Sequence, residues 1–341
     1  MVRDTLYASS QEARDRRARR GGLPSLVRWE SAVVLALLLV VVGAGLGVDG
    51  FAEARNARFL LLDAVAVLLI ALPVTLVVIT GEIDLSVAST LGLCSAVMGQ
   101  LWLSGWPLEL IVVAVVALGA LLGAVNGLFV TGFGLPSLAV TIGTLAAYRG
   151  LAFVVLGDQA VADFPTDWTS AASETVAGGA LPWAMVITLV LAVGFGVTLH
   201  LTPFGRQLYA IGNNAEAAAF AGVPVARARF WLFVASGAVS GLAGVYWTLR
   251  YASARADNGE GLELAVVAAV LLGGVSIFGG RGTLLGVLAG VLLLATLRNA
   301  LQLADVRADT LDIVTGSLLI ASVVVPNAVA LGRARWRRRA T

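Results

Sequence analysis

Near-continuous apolar runs at 32–47, 60–80 and 262–278 leave this chain few ways to fold. Each is too unbroken for the one-sided stripe of a surface helix, and roughly 20 such residues at about 1.5 Å each cross about 30 Å of hydrocarbon. In lipid the backbone must satisfy its own polar groups, which admits only helices or closed barrels, and the runs lack barrel-strand alternation. A polytopic all-α transmembrane bundle is therefore expected. Ten spans are placed near 32–48, 60–80, 86–103, 108–130, 137–156, 181–201, 230–249, 263–279, 284–303 and 311–331. Composition agrees: 59% of residues are apolar before glycine is counted, against about 45–50% with glycine in soluble domains.

All 23 basic residues are arginine. Without lysine there is no G-x-x-x-x-G-K-[ST] phosphate loop and no lysine Schiff base. The lone Cys94 excludes an internal disulfide or a C-x-x-C site, and the lone His200 at a span end argues against a histidine metal site. No catalytic residue, metal or cofactor is expected in this chain, and no nucleic-acid partner.

Arginine placement orients the spans. With the N-terminus inside, sixteen arginines fall on the cytoplasmic side and five on the other, so both termini are expected to be cytoplasmic. The chain then divides into an N-terminal tail (1–30), a transmembrane domain (31–331) and a basic tail (332–341). Residues 1–28 are too long and mixed for the charged start of a signal peptide. The opposite loop 157–180 carries Asp158, Asp163, Asp167 and Glu174 without a base. It is either a solvated loop or a docking surface for a soluble partner. Gly119/Gly123 and Gly286/Gly290 are small-xxx-small pairs, suited to close helix packing.

One polar stretch, 202–229, separates two apolar spans, and residues 216–222 read E-A-A-x-x-x-G. Pro203 and Gly205 are expected to end the preceding span, with Gly212-Asn213-Asn214 forming a turn. Asn214 would cap a short helix whose first turn holds Glu216. Ala217, Ala218 and Phe220 would give it a small face for another subunit to grip. Gly222 and Pro224 would end it. Such a helix suits a membrane subunit driven by a separate ATPase.

Four segments carry a more specific likeness: Thr80–Ser89 (TGEIDLSVAS), Leu135–Thr144 (LPSLAVTIGT) running on to Tyr148-Arg149-Gly150, Phe204–Asn214 (FGRQLYAIGNN) through Gly222, and Ala269–Gly282 (AVLLGGVSIFGGRG). On these the chain resembles the membrane permease of a ribose-type carbohydrate ABC importer. Gly157–Val161 and Leu297–Asp305 look most like rhamnose permeases, with autoinducer-2 and ribose permeases next. The resemblance implies partner ATPase subunits that bind ATP and Mg, a second permease copy or a related permease, an extracytoplasmic sugar-binding protein, and a bacterial plasma membrane. ATPase coupling would fall to Arg206, Gly212, Asn213, Asn214, Glu216, Ala217, Ala218 and Gly222.

Glu82, Asp84, Ser86, Thr141, Thr144, Asn299 and Gln302 are the candidate pathway or gate residues. Acids within a span are costly in lipid, so Glu82 and Asp84 are expected at an interface or in the bundle interior. Asp84 or Ser86 either caps the next span or belongs to a gate. The family often has glycine where Glu82 stands. Asn299 and Gln302 share a helical face, bordering a pore or bonding between helices. Arg149 needs an acceptor, with Asp158 one conceivable partner. Gly273, Gly274, Gly280, Arg281 and Gly282 read as a tight structural hairpin, and 80–86 weakly echoes 272–278. An ion-coupled secondary transporter would need acids near the midplane. An intramembrane enzyme would need a buried nucleophile and base.

Overall fold

The computed structural model describes residues 29–307 and, beyond them, helical positions 310, 313, 316, 317, 320 and 324. The tail 1–28, most of the expected tenth span at 311–331 and the basic tail 332–341 lie outside the described residues. Twelve α-helices are described: α1 (Trp29–Gly47), α2 (Ala54–Ile79), α3 (Val87–Leu103), α4 (Leu108–Thr131), α5 (Ser137–Leu156), α6 (Thr166–Ala171), α7 (Trp183–Leu201), α8 (Pro203–Asn213), α9 (Ala215–Phe220), α10 (Val225–Tyr251), α11 (Leu262–Leu272) and α12 (Leu284–Leu303). Seven of them, α1, α2, α4, α5, α7, α10 and α12, are long and apolar enough to cross a membrane. The all-α expectation holds, and each of the first nine expected spans coincides with a helix.

One boundary needs correction. The span expected at 263–279 is helical only to Leu272, and at 11 residues it is about 16 Å long, roughly half the hydrocarbon thickness. Gly274 takes φ +92°, a conformation open to glycine, and the chain folds back through 273–283 into α12. At the other end of α11, residues 252–261 are also non-helical.

α2 is the central helix, buried at every position from Leu68 to Ile79. Pro73 within it removes one ladder hydrogen bond, which surrounding helices tolerate at such a site. α4 and α10 touch backbone to backbone: a Cβ on Gly119 or Gly123 would overlap Gly237 or Phe233 carbonyls, and one on Gly237 would overlap Gly119. The Gly286/Gly290 pair seats α12 on Gly273 at the end of α11 in the same way. Both small-residue pairs therefore serve packing within this chain.

Residues 202–229 lie at one end of the bundle with Arg206, Arg227, Arg229 and Arg281, here termed the basic end. The loop 157–182, with Asp158, Asp163, Asp167 and Glu174, lies at the other, termed the acidic end.

Candidate functional site

The stretch 202–229 folds as two short helices, not one. The preceding span does end at Leu201, just before Pro203, and Pro203 also begins the next helix: it occupies the first turn of α8, where its missing N–H is no loss, and Thr202 Oγ1 accepts from Gly205 N (3.3 Å). Gly205 is needed because a Cβ there would overlap the Leu199 carbonyl. Gly205, Leu208 and Ile211 form the buried stripe of α8, and Arg206 and Asn213 point outward. Asn214 starts α9 as expected, its Oδ1 accepting from Ala217 N (2.9 Å), with Glu216 in the first turn. Ala218 is the exception to the expected grip face: it is buried, while Glu216, Ala217, Ala219 and Phe220 are exposed. Gly222 takes φ +85° in open space.

α8 is welded to two other elements by glycine. A Cβ on Gly212 would overlap both the Ile79 carbonyl and the Gly280 amide, and that amide donates to Ile79 O (2.8 Å). One on Gly279 would stand 2.8 Å from Gly81 N, and one on Gly280 2.7 Å from Asn213 Oδ1. Tyr209 O–H donates to Gly282 O (2.7 Å). The ends of α2, α8 and the 273–283 hairpin therefore meet with almost no side chain between them. Of the expected hairpin glycines, Gly280 makes this close approach, whereas Gly273 packs on Gly286 and Val287 of α12, Gly274 on Trp29 and Gly282 on Val275 within the hairpin; Arg281 stays exposed. The segments 80–86 and 272–278, which echo one another in sequence, come together at this junction. Trp29 joins from α1, its indole N–H donating to Leu272 O (2.8 Å).

Glu82 is neither free nor lipid-facing. It pairs with Arg229 (2.8 Å), whose Nη2 also donates to Thr80 O (3.1 Å), so the start of α10 is tied to the end of α2. Asp84 is 1% exposed and anchors a polar node between α3, α4 and α10. Its Oδ1 accepts from Ser86 N (3.0 Å) and Ser86 Oγ (2.7 Å), and its Oδ2 accepts from Ser236 Oγ (2.7 Å). Asn126 Nδ2 then donates to Ser86 Oγ (2.8 Å). The start of α5 closes the extended strip: Ile83 N donates to Ser137 Oγ (3.1 Å) and Thr141 Oγ1 to Ile83 O (3.2 Å). Neither Asp84 nor Ser86 caps α3 as expected: Ser86 is the N-cap residue but its side chain makes no capping bond, and Asp84 accepts from Ser86 and Ser236 instead. Thr144 bonds only back along its own helix to Val140 O and Thr141 O.

Toward the acidic end α2, α10, α11 and α12 surround a cavity of about 660 Å³. Asn299 and Gln302 line it together with Asp63, Trp247, Tyr251, Glu260 and Arg298. Asn299 is already committed, exchanging two 2.9 Å amide hydrogen bonds with Asn56. Asp63 is the residue that sequence reasoning passed over. It receives Tyr251 O–H (3.3 Å), and Arg250 lies 3.6 Å away. A lone acid inside the 60–80 apolar run was the available signal, since such a group is costly without a partner or water. Arg149 does not pair with Asp158; its three acceptors are the carbonyls of Ala256, Asn258 and Ala88. Among the described residues no group of three or more metal-ligating side chains is present.

Junction and cavity are linked by the same two helices. α2 presents Ile79 to the junction and Leu60, Asp63, Ala64 and Val67 to the cavity, while α11 presents Leu262, Leu264 and Ala265 to the cavity and runs on into the hairpin whose Gly279 and Gly280 reach the junction.

Residues 56–323 match the family described as branched-chain amino acid transport system / permease component. The chain is also similar to the autoinducer 2 import system permease protein LsrD of Yersinia enterocolitica, at 32% identity over 311 residues that cover 89% of this chain and 93% of that one. The LsrD proteins of Escherichia coli (strain SMS-3-5) and Salmonella typhimurium are 33% and 31% identical over the same coverage. No solved structure matches the chain.

Proposed function

The chain belongs to the family of branched-chain amino acid transport system permease components, and on that premise we propose that it lines the path by which an ABC importer carries autoinducer 2 inward. It is a multi-pass permease component, and ATP hydrolysis belongs to a separate subunit. Autoinducer 2 replaces rhamnose as the favoured cargo, because the relatives cited above are autoinducer 2 permeases, each aligned along about nine tenths of its length. Ribose and other pentoses remain the alternatives within the family resemblance.

The observation that carries the mechanics is that α2, and α11 through the hairpin that continues it, each reach both junction and cavity. In this reading the basic end faces the cytoplasm, and a partner ATPase grips the exposed face of α9. The glycine contacts at Gly212, Gly279 and Gly280 leave little compliant side chain to absorb a push, so displacement of α8 moves the end of α2 and the hairpin that continues α11. Those helices form two walls of the cavity. Nucleotide on the ATPase and cargo on an extracytoplasmic binding protein must each favour a different conformer, since a ligand shifts an equilibrium only by its differential affinity. A second permease, identical or related, completes the membrane part.

Reconstitution of the chain with its ATPase and binding protein in vesicles tests this. ATP-dependent accumulation of autoinducer 2 is expected from the complete assembly and none from the chain alone. Accumulation by the lone chain under a proton or sodium gradient would instead establish an ion-coupled carrier.

Gly222 supplies a further check. With φ +85° and no atom within 4 Å of a Cβ, its replacement by valine has room for the Cβ and still strains the turn by about 1–2 kcal/mol. Gly222→Val is expected to abolish ATP-dependent uptake at unchanged amounts of chain in the membrane. Undiminished uptake would remove the turn after α9 from the coupling route.

A further inference from the structure

Residues 252–261 cross from α10 to α11 without helical hydrogen bonding, and they do so alongside α3, not above it. Ala254 sits against Gly99, Asn258 Nδ2 donates to Ser95 Oγ (2.8 Å), and Gly259 packs on Leu91 and Ala88. From the level of position 99 to that of position 91 the loop descends about 12 Å along α3. Non-helical backbone at such depth persists only if its polar groups find partners within the protein. Val161 and Ala254 exchange two hydrogen bonds (3.0 and 2.8 Å) near the top of the descent. Deeper down the donor is a side chain from α5: Arg149 Nη1 donates to Ala256 O (2.6 Å) and Asn258 O (3.0 Å), and Nη2 reaches Ala88 O (3.4 Å).

The site is shaped for this guanidinium. A Cβ on Gly92 would overlap Arg149 Nη1, so the α3 glycine makes room for it. A planar fork with several fixed donors can join carbonyls of two elements, whereas an ammonium is a single point of charge. Immediately after Asn258, residues Glu260, Gly261 and Leu262 form one wall of the cavity.

We propose that Arg149 is a positioning residue for transport: by holding the carbonyls of the re-entrant loop it fixes the Glu260–Leu262 wall of the cavity. The inference rests on the reading of that cavity as the cargo path.

Cys94 is buried, so a cysteine introduced elsewhere is the accessible thiol among the described residues. Ala256 is 2% exposed and lies on the clamped stretch. In the complete importer in vesicles, Ala256→Cys is expected to react slowly with a maleimide. Adding Arg149→Ala should raise that rate roughly ten- to a hundredfold, the ratio implied by losing one or two charge-assisted hydrogen bonds. Arg149→Lys should give an intermediate rate. Uptake of autoinducer 2 should show a raised KM with a smaller change in kcat. An unchanged labelling rate in Arg149→Ala overturns the proposal. If that variant does not accumulate, Arg149→Lys carries the same test, and labelling equal to the parent overturns it. If labelling rises while even the parent takes up no autoinducer 2, the clamp stands and the cargo assignment is what fails.

Discussion

Gly212→Val is expected to eliminate ATP-dependent uptake while the chain still reaches the membrane. The valine Cβ would stand on the Ile79 carbonyl and the Gly280 amide, two backbone groups already joined at 2.8 Å. Neither can step aside as a side chain end would, so α8 must withdraw from α2 and the hairpin. Overpacking of this kind costs about 1–3 kcal/mol, too little to dissolve a bundle of this size but enough to displace the contact through which the proposed coupling runs. Gly194→Val is the matched control: a Cβ at Gly194, on α7, meets nothing within 4 Å. Membrane content by immunoblot and initial uptake rate give the comparison. Normal uptake by Gly212→Val would show that force does not enter through this junction.

Asp84→Ala should have the largest effect on stability. The carboxylate is the common acceptor for Ser86 N, Ser86 Oγ and Ser236 Oγ, and its loss leaves three donors without their acceptor in a buried node. At about 1–3 kcal/mol for each orphaned group, the sum is a large part of the 5–15 kcal/mol by which folded domains typically exceed their unfolded states. The expected result is a strongly lowered melting temperature in detergent and poor accumulation in the membrane. Asp84→Asn keeps the shape and one acceptor oxygen, so it should lie between. Ser236→Ala removes a single donor and should cost least. If Asp84→Ala melts with the parent, the node is not what ties α3 and α10 together.

Much of the architecture was readable from local pattern. The apolar runs located the nine helices α1–α5, α7 and α10–α12, because span formation depends on contiguous residues alone. Asn214 as a cap and Glu216 in the following turn were likewise readable, since capping acts within four residues. Where the reading failed, distant contacts had intervened. Pro203 read only as a stop, and α7 does end before it, yet the fold also uses it as the first residue of α8, which packs against Leu199 and Ile79. Ala218 read as a docking face, although the helix turns it inward. α11 read as a full span because residues 273–279 are apolar, but Gly274 and Trp29 end it early.

The polar residues divide in the same way. That Glu82, Asp84 and Arg149 each needed a partner followed from the cost of unpaired polar groups in lipid. Which partner each found did not: Arg229, Ser236 and Asn258 lie more than a hundred residues along the chain. What the amino-acid order settled unaided is that this is a helical membrane protein without a lysine-based phosphate loop of its own, because hydrocarbon solvation and residue chemistry act on any arrangement of the chain. What only the tertiary structure decided is that α2, and α11 through the hairpin after it, each reach both junction and cavity. That depends on where glycines let separate backbones touch, a property of pairs of segments and not of either one.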